Sequence, residues 1–302
     1  MDILIVGTGA LATLFAARLG MAGTHVSMLG TWQAGIEALH QHGARWVDGD
    51  GLEHSVPVHA TDTPQEVRGA RIALVLVKAW QTERAAHQLA ECLAADGVAV
   101  TLQNGIGNRE ILALDLGPER VALGVTTTGA TLLGPGLVRP GGEGVLSLER
   151  NPALGPVENA LRSAGFQVES VPDAESLAWG KLIVNAAINP LTALLRVPNG
   201  ELLERPEAHR LMADLALEAA SVARAEGIRL PFENPVEMVE EVARKTAANR
   251  SSMLQDVLRG APTEIDAICG AVTQHGEKAG VSTPVNAACW RLVKAMVEPS
   301  AW

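Results

Sequence analysis

Asp2-Ile3-Leu4-Ile5-Val6-Gly7-Thr8-Gly9-Ala10-Leu11-Ala12 decides the fold. Residues 2–6 are a short apolar run rich in β-branched side chains, which reads as a buried strand. Gly7, Gly9 and Ala12 then stand at the spacing Gly-x-Gly-x-x-Ala, directly before a stretch that reads as a helix to about Gly20. The first glycine permits a tight turn and the second lets the backbone approach a pyrophosphate. The small third residue lets the helix pack close against the strand. The helix start offers unpaired N–H groups and the positive end of its dipole to an anion. A bare glycine pattern is weak, but here it lies between the right elements. Gly7, Thr8, Gly9, Ala10, Leu11 and Ala12 are therefore the candidate cofactor turn, against the alternative of a glycine turn with no ligand.

Working outward, Gly23-Thr24 reads as a turn and His25 to Leu29 as a second strand, which completes a β-turn-α-β unit. Apolar runs at Ile72 to Val77 and Val98 to Leu102 read as further parallel strands covered on both faces. Val121 to Leu148, rich in Gly, Thr and Val, reads as shorter strands with turns. The texture changes at Val171-Pro172-Asp173. Beyond it the chain reads as helices broken at Pro198-Asn199-Gly200, Gly227 to Pro231 and Gly260-Ala261-Pro262. The expected architecture is an α/β Rossmann-type dinucleotide-binding domain over residues 1–171 and an all-α domain over residues 172–302. The active site is expected in the cleft between them.

Composition narrows the function classes. The net charge of −10 comes from 17 acidic and 11 basic groups in the first 171 residues and 17 and 13 in the rest. The excess is thus spread over the surface, which disfavours nucleic acid and anionic lipid as partners. A site for an anionic substrate must then supply local positive charge. No apolar run is long enough to span a bilayer, and the start lacks the pattern of a signal peptide, so a cytoplasmic protein is expected. The three cysteines are far apart and without a Cys-x-x-Cys pair, and read as reduced, mostly buried thiols. The chain has no tyrosine, which excludes proton transfer through a Tyr-x-x-x-Lys pair.

The candidate chemistry lies in Trp179-Gly180-Lys181-Leu182-Ile183-Val184-Asn185-Ala186-Ala187-Ile188-Asn189-Pro190. Lys181, Asn185 and Asn189 recur every fourth residue and so share one helix face, among apolar neighbours. Such a stripe either satisfies protein groups or lines a ligand cleft, and a Lys with two Asn favours the cleft. Pro190 is expected to kink the helix just beyond it. In a second segment, Thr263 reads as an N-cap and Glu264 as a first-turn residue, either functional or a surface carboxylate answering the helix dipole. In the first domain, Lys78 and Asn104 each follow a strand and stand at the ligand edge of a parallel sheet. The bland readings are a solvated cation and a turn former. After the second strand, Gly30-Thr31-Trp32-Gln33 carries neither the acidic residue that binds an NAD ribose nor an Arg for the NADP phosphate, leaving Thr31 as a weak phosphate donor.

GTGALA at 7–12, VKAWQT at 77–82, QNGIG at 103–107, GVTTTGA at 124–130, WGKLIVNAAINPLTAL at 179–194, PNGEL at 198–202, SSMLQD at 251–256 and TEID at 263–266 resemble, in that order, the motifs of the ketopantoate reductase family. The resemblance covers nearly the whole chain. It implies reduction of 2-dehydropantoate to pantoate, on the route to pantothenate and coenzyme A, with NADP as cofactor and NAD left open. It implies Lys181 as general acid and Glu264 as a carboxylate near cofactor and substrate. Lys78, Asn104 and Ala130 would contact the cofactor, with Asn104 also touching substrate. Asn185, Asn189, Asn199, Asn249 and Ser252 would hold substrate. No metal is called for, and the architecture is compatible with a homodimer. Three alternatives stay open: a paralogue acting on another 2-oxo acid, a β-hydroxyacid dehydrogenase, and a dinucleotide-binding redox sensor without turnover.

Overall fold

The computed structural model describes residues 2–297. They divide into two compact units, residues 2–103 with 108–174, and residues 104–107 with 175–297. Among the described residues no helix is long and apolar enough to cross a membrane.

The first unit contains twelve strands: β1 (Asp2–Val6), β2 (His25–Leu29), β3 (Ala44–Val47), β4 (Glu53–Val56), β5 (His59–Thr61), β6 (Ala70–Val75), β7 (Leu93–Thr101), β8 (Val121–Thr126), β9 (Ala130–Gly134), β10 (Leu137–Pro140), β11 (Val145–Glu149) and β12 (Gln167–Val171). Eight of them form one sheet in the order β12-β11-β8-β7-β6-β1-β2-β5. From β8 to β5 every pairing is parallel. β11 runs antiparallel to β8, and β12 runs parallel to β11. From β1 the chain builds outward first through β2 to β5, then returns to lay β6, β7 and β8 on the other side. The strand order therefore reverses between β1 and β6, which is where open α/β sheets place their ligands.

β1 shows why this strand is apolar throughout. Ile3 and Ile5 pack with Phe15, Ala16 and Leu19 of the helix Ala10–Met21 on one face. Leu4 and Val6 pack with Leu89 and Leu112 on the other. Side chains alternate along a strand, so a strand covered on both faces needs apolar residues at every position. The strand ends differ from the sequence reading by a few residues. Pairing continues past β6 and β7 through single hydrogen bonds, Leu76 N–H to Val6 O at 2.8 Å and Leu102 N–H to Val75 O at 3.1 Å. A second sheet, β4-β3-β10-β9, joins β9 and β10, within the Val121–Leu148 stretch expected to form short strands, to β3 and β4, for which the sequence carries no strand signal.

The second unit is helical, as expected. Its long helix Ala174–Leu195 buries Ile183, Ala186, Ala187, Ile188 and Leu191 against Met212, Leu215, Ala216 and Ala219 of Pro206–Ala225, together with Val272 and Val293. Pro190 does not end this helix, which runs on to Leu195. Proline cannot donate to the carbonyl four residues earlier. Here Ala186 O instead receives the Cys269 thiol at 3.8 Å. Cys92, Cys269 and Cys289 are all free and buried.

Candidate active site

In the first unit, Gly7 follows β1 with φ +132°, a conformation that glycine tolerates. A Cβ at Gly7 would lie 3.0 Å from Leu76 O and 3.2 Å from Val77 N. This turn therefore runs backbone to backbone against the end of β6, at the reversal point of the sheet. Gly9 differs: a Cβ there would meet nothing within 4 Å among the described residues. Packing does not require a glycine at position 9, whereas the close approach of a ligand would. Gly9 caps the helix Ala10–Met21 and has no side chain to occupy the first N–H groups. Thr8 is buried, Ala10 and Leu11 are partly covered, and Ala12 is fully buried against the sheet. A turn of this kind fits a pyrophosphate. Thr31 and Lys78, both half-buried, follow β2 and β6, and Ala130 opens β9 opposite Pro140.

The second unit gathers the rest. Lys181, Asn185 and Asn189 share one face of Ala174–Leu195, with Lys181 and Asn185 partly exposed and Asn189 buried. Thr192 continues that face, because eleven residues after Lys181 is close to a whole number of helical turns. Its hydroxyl lies 2.7 Å from Ser251 Oγ. Ser251 Oγ in turn accepts from Leu254 N–H at 3.0 Å and so caps the helix Ser252–Leu258. The lower end of the Lys181 face is thereby tied to the start of that helix, with Ser252 exposed at its first position. Asn199 and Asn249 are also brought together. Asn199 N–H donates to Asn249 O at 3.0 Å, and Asn199 Nδ2 donates to Thr246 Oγ1 at 2.9 Å. Asn199 Oδ1 is buried with no hydrogen-bond partner among the described residues. Asn249 itself is exposed.

Glu264 is 6 % exposed, and its charge acts on Lys181 of this face. The expectation that Thr263 caps a helix does not hold. The chain bends at Glu264, and the helix that follows begins as a π-turn over Asp266–Gly270, closed by Gly270 N–H to Ile265 O at 3.0 Å. Thr263 Oγ1 is buried and makes no hydrogen bond among the described residues. Single π-turns recur at functional sites. The turn leaves Glu264 ahead of the helix and facing inward, so the surface-dipole reading also fails.

Glu264 accepts from Asn104 Nδ2 at 3.0 Å. This contact lies within the second unit, because residues 104–107 pack there although the chain on both sides belongs to the first. Gly105 makes that packing possible. Its φ is +82°, and a Cβ would fall 2.2 Å from Ala267 O and 2.8 Å from Ala267 Cβ. Ile106 N–H also points to Ala267 O at 3.4 Å. Burial lowers the Lys181 pKa from 10.5 to about 8, and the charge of Glu264 pulls it back upward. The ammonium is thus still largely protonated at neutral pH but gives up its proton far more readily than a solvated lysine. Thr192, Ser251, Cys269 and Gly105 escaped the sequence reading. Helical spacing would have found Thr192, whereas the others depend on contacts between distant segments.

A doubly wound sheet with a glycine turn at its reversal point, followed by a helical unit holding a Lys–Glu pair, defines a two-unit oxidoreductase. The chain belongs to the ketopantoate reductase family. Residues 3–152 match the family described as "Ketopantoate reductase PanE/ApbA", and residues 173–297 match "Ketopantoate reductase PanE/ApbA C terminal". It is 39% identical over 298 residues to the 2-dehydropantoate 2-reductase of Archaeoglobus fulgidus, covering 97% of this chain and 96% of that one. It is 32% identical to that of Vibrio cholerae, covering 98% of each. Among solved structures, a PanE/ApbA family ketopantoate reductase from Ralstonia eutropha JMP134 superposes with TM-score 0.91 at 30% identity, covering 98% of each chain. D-mandelate dehydrogenase with NADH and anilino(oxo)acetate superposes with TM-score 0.92 at 27% identity, also covering 98% of each.

Proposed function

We propose that the protein reduces 2-dehydropantoate to pantoate with a reduced nicotinamide dinucleotide, and that Lys181 supplies the proton. The observation that carries this reading is the Lys181–Glu264 pair on a face shared with Asn185 and Asn189: a Lys whose pKa lies at about 8, held by a carboxylate among neutral hydrogen-bonding groups. Relatives named 2-dehydropantoate 2-reductase support the substrate.

Gly7 to Ala12 would hold the pyrophosphate, and Thr31, Lys78, Asn104 and Ala130 would contact the rest of the dinucleotide. When bound, that group supplies the hydride for the C2 carbonyl carbon. The Lys181 ammonium stabilises the charge that grows on the carbonyl oxygen and passes a proton from Nζ to it. Burial weakens the hold of Nζ on that proton, and Glu264 keeps enough Lys181 protonated at neutral pH to act. Asn185 and Asn189 orient the substrate without adding charge, joined by Asn199 and Asn249. Ser252 takes the carboxylate. Asn104, by donating to Glu264, fixes the carboxylate that faces Lys181.

The test is loss of reduced-nicotinamide absorbance when purified protein meets 2-dehydropantoate. Rapid oxidation is expected. A second reading, action on a different 2-oxo acid, draws on the match to D-mandelate dehydrogenase. Running an aryl 2-oxo acid in parallel separates the two: faster turnover of the aryl acid overturns the assignment of 2-dehydropantoate.

A further inference from the structure

The carboxyl end of β2 is where a doubly wound sheet distinguishes a ribose 2′-hydroxyl from a 2′-phosphate. Gly30-Thr31-Trp32-Gln33 supplies neither of the usual reporters, but β2 does not end alone. β5 pairs beside it in parallel, with Leu29 opposite Thr61, and Gly30 N–H donates to Thr61 O at 3.0 Å. The two strands leave the sheet side by side, so Asp62 follows β5 as Gly30 follows β2. Gln33 Nε2 donates to Asp62 Oδ2 at 2.6 Å, and Thr63 Oγ1 donates to Asp62 Oδ1 at 3.2 Å. These donors hold the Asp62 carboxyl below its usual range, the Gln33 bond contributing most. Asp62 and Gln33 are both exposed. Trp32 packs its ring against Gly35 and stays 40% exposed beside them. Neither Gly30 to Gly43 nor His59 to Val67 contains a Lys or Arg, whereas each contains a Glu, at 37 and 66.

We infer that Asp62, fastened through Gln33 to the start of the helix that follows β2, reads the 2′ position of the dinucleotide and selects NADH over NADPH. The inference rests on Gly7 to Ala12 being the cofactor turn. A carboxylate accepts hydrogen bonds from a ribose diol. A 2′-phosphate carries negative charge and would meet that carboxylate with no cation on either segment to offset it. The acidic residue that such sheets usually carry on β2 is here brought by the neighbouring strand.

Calorimetric titration of the full chain with NADH and with NADPH tests this without relying on turnover. NADH is expected to bind about ten-fold more tightly or better. Asp62→Asn keeps the shape, removes the charge and should bring the two affinities together, chiefly by tightening NADPH. Adding Gln33→Arg should reverse the preference. Both positions are exposed, and an unchanged melting temperature would confirm that the fold is retained. Equal or tighter NADPH binding by the parent chain overturns the inference, as does a preference that Asp62→Asn leaves intact. Gly9→Ala separates the levels. If it weakens both cofactors while Asp62→Asn changes nothing, the cofactor turn stands and the role of Asp62 falls. If neither cofactor binds the parent chain, the turn reading fails and the inference goes with it.

Discussion

The turn at Gly7 to Ala12 and the cluster around Lys181 are built from different materials. The turn is made of backbone and of side chains that are absent: a Cβ at Gly7 would strike Leu76 and Val77, and one at Gly9 would enter open space. The cluster is made of side chains from separate segments: Lys181 and two Asn from one helix, Glu264 from a bend before a π-turn, and Asn104 from a loop that joins the second unit. A backbone site needs a few residues at fixed spacing, so a single change either breaks the fold or blocks the ligand. A side-chain site needs distant segments held in register, so changes that never touch the substrate can still disarm it.

The strongest break would come from the cluster. Lys181→Ala is expected to lower kcat by about 10²–10⁴-fold, while calorimetry shows dinucleotide affinity within a factor of about two of the parent. Near-normal turnover would remove Lys181 from the chemistry.

Gly105→Ala tests whether register alone matters. The added methyl meets Ala267 O and a φ of +82° that alanine resists. With Asn104 and Glu264 shifted by as little as about 1 Å, kcat/KM is expected to fall by about 10². Full activity in a folded Gly105→Ala protein would show that the Gly105–Ala267 contact positions nothing.

The two glycines of the turn sharpen the contrast. Gly9→Ala is expected to leave the melting temperature unchanged and to weaken dinucleotide binding by about ten-fold. Gly7→Ala is expected to destabilise the fold by about 1–3 kcal/mol in chemical denaturation. The same loss of stability from both would mean that Gly9, too, serves only packing.

The smallest effect is a shift along the pH axis. If the protonated Lys181 is the donor, as proposed, turnover should fall as pH rises through about 8. Glu264 raises that pKa, so Glu264→Gln should move the fall to lower pH. A profile that does not move would uncouple the pair. The stability of the parent chain should respond in the opposite sense. Between about 8 and 10.5 the unfolded lysine binds more proton than the folded one, so the cost of burying the ammonium is relieved as pH rises through that window.

The turn was legible in the sequence because its spacing is local, and β1 because strands covered on both faces are apolar throughout. The polar stripe of Lys181, Asn185 and Asn189 was legible for the same reason. Glu264 was readable only as a residue of undecided role, since a bend and a π-turn carry no spacing rule and the N-cap inferred at Thr263 was wrong. Asp62 falls under no spacing rule along β2, because strand adjacency is a long-range property. The short strands of 44–61, among which β5 arises, have too few residues to show a period.

The Cys269 thiol that meets Ala186 O above Pro190 has a practical consequence. Burial raises the pKa of Cys92 to about 11 and that of Cys269 well above the ordinary thiol value, so both stay as unreactive S–H while the fold is closed. Cys92 sits in the core of the first unit and Cys269 in that of the second. The native chain therefore carries its own chemical clock in each half: the rate at which a thiol reagent reaches each cysteine reports how often that core opens, with no label or mutation introduced.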